Sequence, residues 1–70
     1  MKFAVIYEKT GTGYSAYVPD LPGCVAGAGT YEETAELIRG AIELHLETMR
    51  EDGDSIPEST TIAGCVAVPV

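Results

Sequence analysis

The segment Pro19-Asp20-Leu21-Pro22-Gly23-Cys24 constrains this chain most, because Thr30-Tyr31-Glu32-Glu33 follows only six residues after Cys24. Two prolines fix φ and withdraw two backbone donors, so the chain must turn a rigid corner there. Thr30 and Glu33 have the spacing of a capping box. The threonine hydroxyl can accept from the amide three residues on, while the glutamate reaches back to the Thr30 amide. Between corner and cap there is room only for one short strand, over the small apolar residues 24–28.

The remaining elements follow from local pattern. Residues 2–8 are rich in β-formers and read as a strand. Lys9-Thr10-Gly11-Thr12-Gly13 is a turn, and residues 14–18 are the returning strand of a hairpin. A helix from the Thr30 cap runs to Glu51 or Asp52, where Gly53 suits a left-handed stop. Residues 54–59 form a loop containing Pro57, and residues 61–68 read as a fourth strand closed by Pro69. The expected architecture is α+β in the order βββαβ, one helix packed on a four-stranded sheet. Residues 1–70 form a single domain without internal repeats.

A core of this size supplies roughly 3–5 kcal/mol by itself. Other contacts must add to it. On the helix, Tyr31, Thr34, Ala35, Ile38, Ala41, Ile42, His45, Leu46 and Met49 share one arc, which is the core face. Leu37 and Leu44 lie on a flank outside it. They either widen the core contact or form an oligomer interface. Alternation leaves both faces of the first strand apolar, with Phe3, Val5 and Tyr7 on one and Ala4 and Ile6 on the other. One helix covers one face, so the other must meet something. The expectation is a homodimer or larger assembly.

Charge is distributed unevenly. The net charge is −7, and nine acids fall within residues 31–58: Glu32, Glu33, Glu36, Glu43, Glu47, Glu51, Asp52, Asp54 and Glu58. Only Arg39 and Arg50 oppose them there, positioned to pair with Glu36 and Glu43 and with Glu47, respectively. Residues 59–70 carry no charged side chain. Such a surface repels phosphates, which argues against direct nucleic-acid binding, and it attracts a basic protein. Solubility alone would also account for it.

Metal and nucleophile chemistry find little support. Cys24 and Cys65 lack zinc spacing and read as free thiols, and His45, the single histidine, reads as partly buried with a backbone hydrogen bond. No cofactor or metal is expected. The apolar start Phe3-Ala4-Val5-Ile6-Tyr7 is too short for a signal peptide, and no run is long enough to span a membrane. The expected location is the cytoplasm.

The run from Glu8 to Cys24, the Thr30-x-x-Glu33 helix start and the later His45-Leu46-Glu47 resemble HicB-like antitoxins, over nearly the whole chain. That resemblance implies a partial ribonuclease H-like fold, with the fourth strand beside the first. It also implies a function, since family members cover the active site of small basic HicA-like toxin ribonucleases. Many continue into a C-terminal DNA-binding segment; this sequence stops at Val70, so operator binding is not carried over. A ribonuclease H site needs converging carboxylates, and residues 2–7 contain none, so no enzyme is expected. The candidate partner-binding residues are Tyr14 (for which, as for Tyr17, a place in the core is the commoner fate), the corner Asp20, Leu21, Pro22, Gly23 and Cys24, and the steering acids Glu43 and Glu47. The alternative is an orphan oligomeric scaffold or regulator without a toxin.

Overall fold

A computed structural model describes residues 1–70. The chain forms β1 (Ile6–Lys9), β2 (Tyr14–Tyr17), β3 (Val25–Ala28) and α1 (Tyr31–Glu51). The three strands are an antiparallel meander in the order β1-β2-β3. Ile6 pairs with Tyr17 and Lys9 with Tyr14 across the first hairpin, and Tyr14 pairs with Ala28 and Tyr17 with Val25 across the second. The fold is α+β, as expected.

The hairpin turn depends on Gly13. A Cβ there would run into the Ala28 carbonyl oxygen and lie 2.8 Å from Gly29 Cα. The Pro19–Gly23 corner closes on itself. Leu21 N–H donates to Val18 O at 3.0 Å, Cys24 N–H to Leu21 O at 3.0 Å, and Val18 N–H to Cys24 O at 3.1 Å. Gly23 takes φ +84°, a backbone state that side chains disfavour.

The helix begins where its cap lies. Glu33 N–H donates to Thr30 Oγ1 at 3.1 Å. The return bond differs from the expected one: the Thr30 hydroxyl donates to Glu33 Oε1 at 3.0 Å, so the glutamate does not take the Thr30 amide. The other end is a Schellman stop. Gly53, at φ +74°, donates to Arg50 O, and Asp54 N–H donates to Met49 O at 2.9 Å.

One face of the sheet packs on α1. Ala16, Val18, Leu21, Cys24 and Ile38 form the buried core, flanked by Phe3, Val5, Tyr7, Ala26, Ala41, Ile42 and Leu46. Thr34 is the buried polar residue, and its hydroxyl donates to Thr30 O at 2.8 Å, with Tyr14 O at 3.4 Å. This satisfies the hydroxyl and seats the helix on β2. On the opposite face the register lines up Ile6, Tyr17 and Val25 in one row, where Tyr17 and Val25 are exposed.

Two expectations are corrected. β1 starts at Ile6 rather than Lys2, because β2 offers a paired edge only as far as Tyr17. The fourth strand over 61–68 does not form, so the order is βββα and the sheet has three strands. A strand requires a neighbouring edge, and every residue from Ile62 to Val70 is exposed. The segment is instead fixed at its start. Asp20 accepts from the Thr60 and Thr61 amides at 3.1 and 3.0 Å and from the Thr61 hydroxyl at 2.8 Å.

Candidate functional site

A length mismatch creates a groove. A helix of 21 residues is about 32 Å long, whereas the four residues of β3 span about 13 Å. Because α1 returns antiparallel to β3, its C-terminal turns overhang the sheet beside the corner. The gap between them is an open groove of about 520 Å³. Gly23, Cys24 and Val25 form one wall, Leu44, His45 and Met49 the other, and Asp52 and Asp54 close one end. The lining is half apolar, with carboxylates at the end where the helix dipole is already negative. Glu51, Asp52 and Asp54 gather at that C-terminus with Arg50 as the basic residue of the last turn. Such an arrangement is electrostatically unfavourable.

The structure separates the sequence candidates. Pro22 and Gly23 are exposed, and Gly23 lines the groove. Leu21 is fully buried and Cys24 nearly so, and both hold the corner from inside. Leu21 offers no surface to a partner without opening the core, and Cys24 reaches the groove only through its small exposed remainder. Burial also pushes the Cys24 thiol up from its ordinary value, so it stays protonated at neutral pH. Asp20 is occupied by Thr60 and Thr61, and those hydrogen bonds, led by the Thr61 amide, hold its carboxyl below the ordinary range.

Tyr14 lies at the other end of the sheet, opposite Ala28. Its ring meets Tyr31 edge-on at 6.2 Å, and Tyr7 stacks obliquely on Tyr31 at 4.6 Å. This cluster caps the N-terminal half of the core. Burial, reinforced by the Tyr31 phenol, raises the Tyr7 pKa. Glu43 and Glu47 are exposed on the outer face of α1. Glu43 pairs with Arg39 at 3.4 Å. The expected pairs Arg39–Glu36 and Arg50–Glu47 do not form. His45 lines the groove half-buried, without the expected backbone hydrogen bond. Of the two flanking leucines, Leu44 belongs to the groove and Leu37 stands exposed away from it.

Sequence reasoning missed His45, Met49, Asp52 and Asp54 as groove residues. The signal was present in element lengths, since an apolar helix arc reaching Met49 is longer than the short strand it packs on, which begins at Val25. No three of the His, Cys, Asp and Glu side chains converge as a cation site, and no helix is long and apolar enough to cross a membrane.

Comparison with known proteins gives a consistent picture. The family model for the HicB-like antitoxin of bacterial toxin–antitoxin systems matches residues 3–70. A UPF0150 protein of Archaeoglobus fulgidus is 46% identical over 59 residues, covering 80% of this chain and 86% of that protein. A UPF0150 protein of Synechocystis is 32% identical over 69 residues, covering 97% and 87%. An uncharacterised 14.9 kDa protein from the rep–hol intergenic region of Haemophilus phage HP1 is 35% identical over 69 residues. That alignment takes in 99% of this chain but 52% of the phage protein, so the chain spans about half the length of that relative.

Proposed function

The chain belongs to the HicB-like antitoxins of bacterial toxin–antitoxin systems, and from that premise we propose that it is a non-enzymatic binding module for a small basic HicA-like toxin ribonuclease. The observation that carries this reading is the groove between Gly23–Val25 and the C-terminal turns of α1, half apolar in its lining and carrying the carboxylates Asp52 and Asp54. An apolar anchor of the toxin would fill the groove between Gly23 and Leu44. Its basic RNA-binding surface would face Asp52, Asp54 and the outer acids of α1. Covering that surface would block RNA from the toxin's active site. The acids then guide encounter, while the groove supplies the retained contact.

Self-association is part of the proposal. The row Ile6–Tyr17–Val25 and the exposed Leu37 are apolar surfaces that a second copy would cover. That same row is the observation favouring the second reading, an oligomeric scaffold or regulator without a toxin. The ribonuclease H-like grouping rests on the resemblance and on the three-stranded meander with its helix. Its fourth strand would have to come from residues 61–68. A cytoplasmic location follows from the proposed partner.

Calorimetric titration with a small basic HicA-like protein from the same source tests the groove. Leu44→Asp should weaken binding by about 1–2 kcal/mol, roughly five- to thirtyfold, with the helical circular dichroism unchanged. Unaltered affinity in that folded variant would remove the groove from the interface.

A further inference from the structure

Asp20 stands outside the groove, yet the chain ties it to both walls. The Gly23–Val25 wall begins just after it. Its carboxylate also accepts four hydrogen bonds from the segment that follows the other wall. Oδ2 accepts from the Thr60 amide at 3.1 Å and the Thr61 amide at 3.0 Å, and Oδ1 from the Thr61 hydroxyl at 2.8 Å and the Thr60 hydroxyl at 3.4 Å. Apart from the bond that seats Thr34 on Tyr14 O, these are the side-chain hydrogen bonds that join distant parts of the chain. A carboxylate with both oxygens so occupied has little left to offer a partner.

The groove needs such a tie because its walls are joined directly at one end only. β3 runs into α1 through Gly29 and Thr30, and the groove lies at the opposite ends of both elements. Leu46 is the last helix residue packed against the core, whereas the lining residues Thr48, Met49, Asp52 and Asp54 come after it. Residues 55–59 close this open end. They leave from Asp54, whose amide donates to Met49 O at 2.9 Å, and arrive at Thr60 in the grip of Asp20. Pro57 fixes its own φ and biases Ile56 toward extended backbone. Both are half-buried between the exposed Ser55 and Glu58, so the segment lies against the body instead of looping into solvent. It is a short, stiffened strap held by hydrogen bonds at each end.

We propose that Asp20 is the positioning residue of the groove: through Thr60 and Thr61 it anchors the strap that holds the last turns of α1 at a set distance from the Gly23–Val25 wall. Its effect on a partner rests on the reading of the groove as the toxin's seat; its effect on the walls does not. A wall held in place before encounter loses less freedom on binding, so the strap strengthens the complex without touching the partner. Asp20 thereby differs from Glu43 and Glu47. Those acids act on the rate of encounter, whereas Asp20 acts on the lifetime of the complex.

The test uses the complete 70-residue chain and two measurements. The first compares methyl resonances of free wild type and Asp20→Ala. Leu44 and Met49, remote from residue 20 in sequence, should shift, while Ala16 and Ile38 in the core keep their positions. Thr61→Val, which removes one hydroxyl bond and no charge, should shift the same two residues less. Leu44 and Met49 unmoved in folded Asp20→Ala overturns the positioning role. The second measures association and dissociation of a small basic HicA-like protein from the same source, at low and moderate salt. Asp20→Ala should raise the dissociation rate about five- to tenfold at both salts, with association changed by less than about twofold. Asp20→Asn, which keeps an acceptor, should fall between it and wild type. A loss confined to association and erased by salt would make Asp20 a steering charge and overturn the proposal. If wild type binds no such protein, the reading of the groove as the toxin's seat fails, while the Leu44 and Met49 shifts still decide the positioning.

Discussion

At the scale of single residues, backbone clearance at one glycine and a carboxylate's partners govern the local stability of this chain. Gly13 lets the first hairpin lie against Ala28 and Gly29. Gly13→Ala should therefore destabilise the protein by about 1–3 kcal/mol in chemical denaturation, as overpacking does. An unchanged midpoint would show that the turn yields freely. Asp20 acts through charge. Its carboxyl is held below its ordinary value of 3.8, first by the Thr61 amide, then by the Thr61 hydroxyl and by Thr60. A lowered folded value means the stabilising contribution is complete above 3.8 and is lost as pH falls through the folded value. The Thr60 and Thr61 amide resonances should shift together below that pH, and Asp20→Asn should abolish the shared titration. Amides that titrate above 3.8, or independently, would contradict the clasp.

At the scale of elements, what was legible in the sequence was what local chemistry determines. Thr30, Glu33 and Gly53 mark the ends of α1 because caps are contacts between near neighbours. The hairpin and the corner are likewise made by residues close in sequence. The fourth strand was not legible, because a β-prone pattern at Ile62, Val66 and Val68 does not say which edge it meets. Nor was the burial of Leu21 and Cys24, since strand alternation stops inside a turn. The groove arises from the placement of α1 over β3, which no single segment encodes. Gly40 gives an element-scale prediction. It lies mid-helix on the exposed arc, and an added Cβ would meet nothing within 4 Å. Gly40→Ala should stabilise the protein by about 0.4–1 kcal/mol, read as a higher denaturation midpoint. A loss of stability would mean that another backbone approaches that position in the assembled protein.

At the scale of the whole molecule, charge and apolar surface are segregated. Nine of the eleven acids lie on α1 and its exit, and the apolar surfaces are the Ile6–Tyr17–Val25 row and residues 62–70. The account gives each a separate task, toxin capture for the first and self-association for the second. Capture by charge has a kinetic signature. Glu47→Gln should slow association with the toxin and flatten its salt dependence, and Glu43→Gln should do so less, because Arg39 already pairs with Glu43. Stopped-flow association rates at low and moderate salt separate the two. Equal rates for wild type and Glu47→Gln at low salt would leave the acids as a solubility feature.

The central claim is that the chain silences a basic ribonuclease by covering it. The most direct measurement is RNA cleavage by the purified toxin, titrated with increasing amounts of this chain. The account predicts that cleavage falls to zero at a fixed stoichiometric ratio and returns when raised salt dissociates the complex. Cleavage that continues unchanged in a complex verified by light scattering would contradict it.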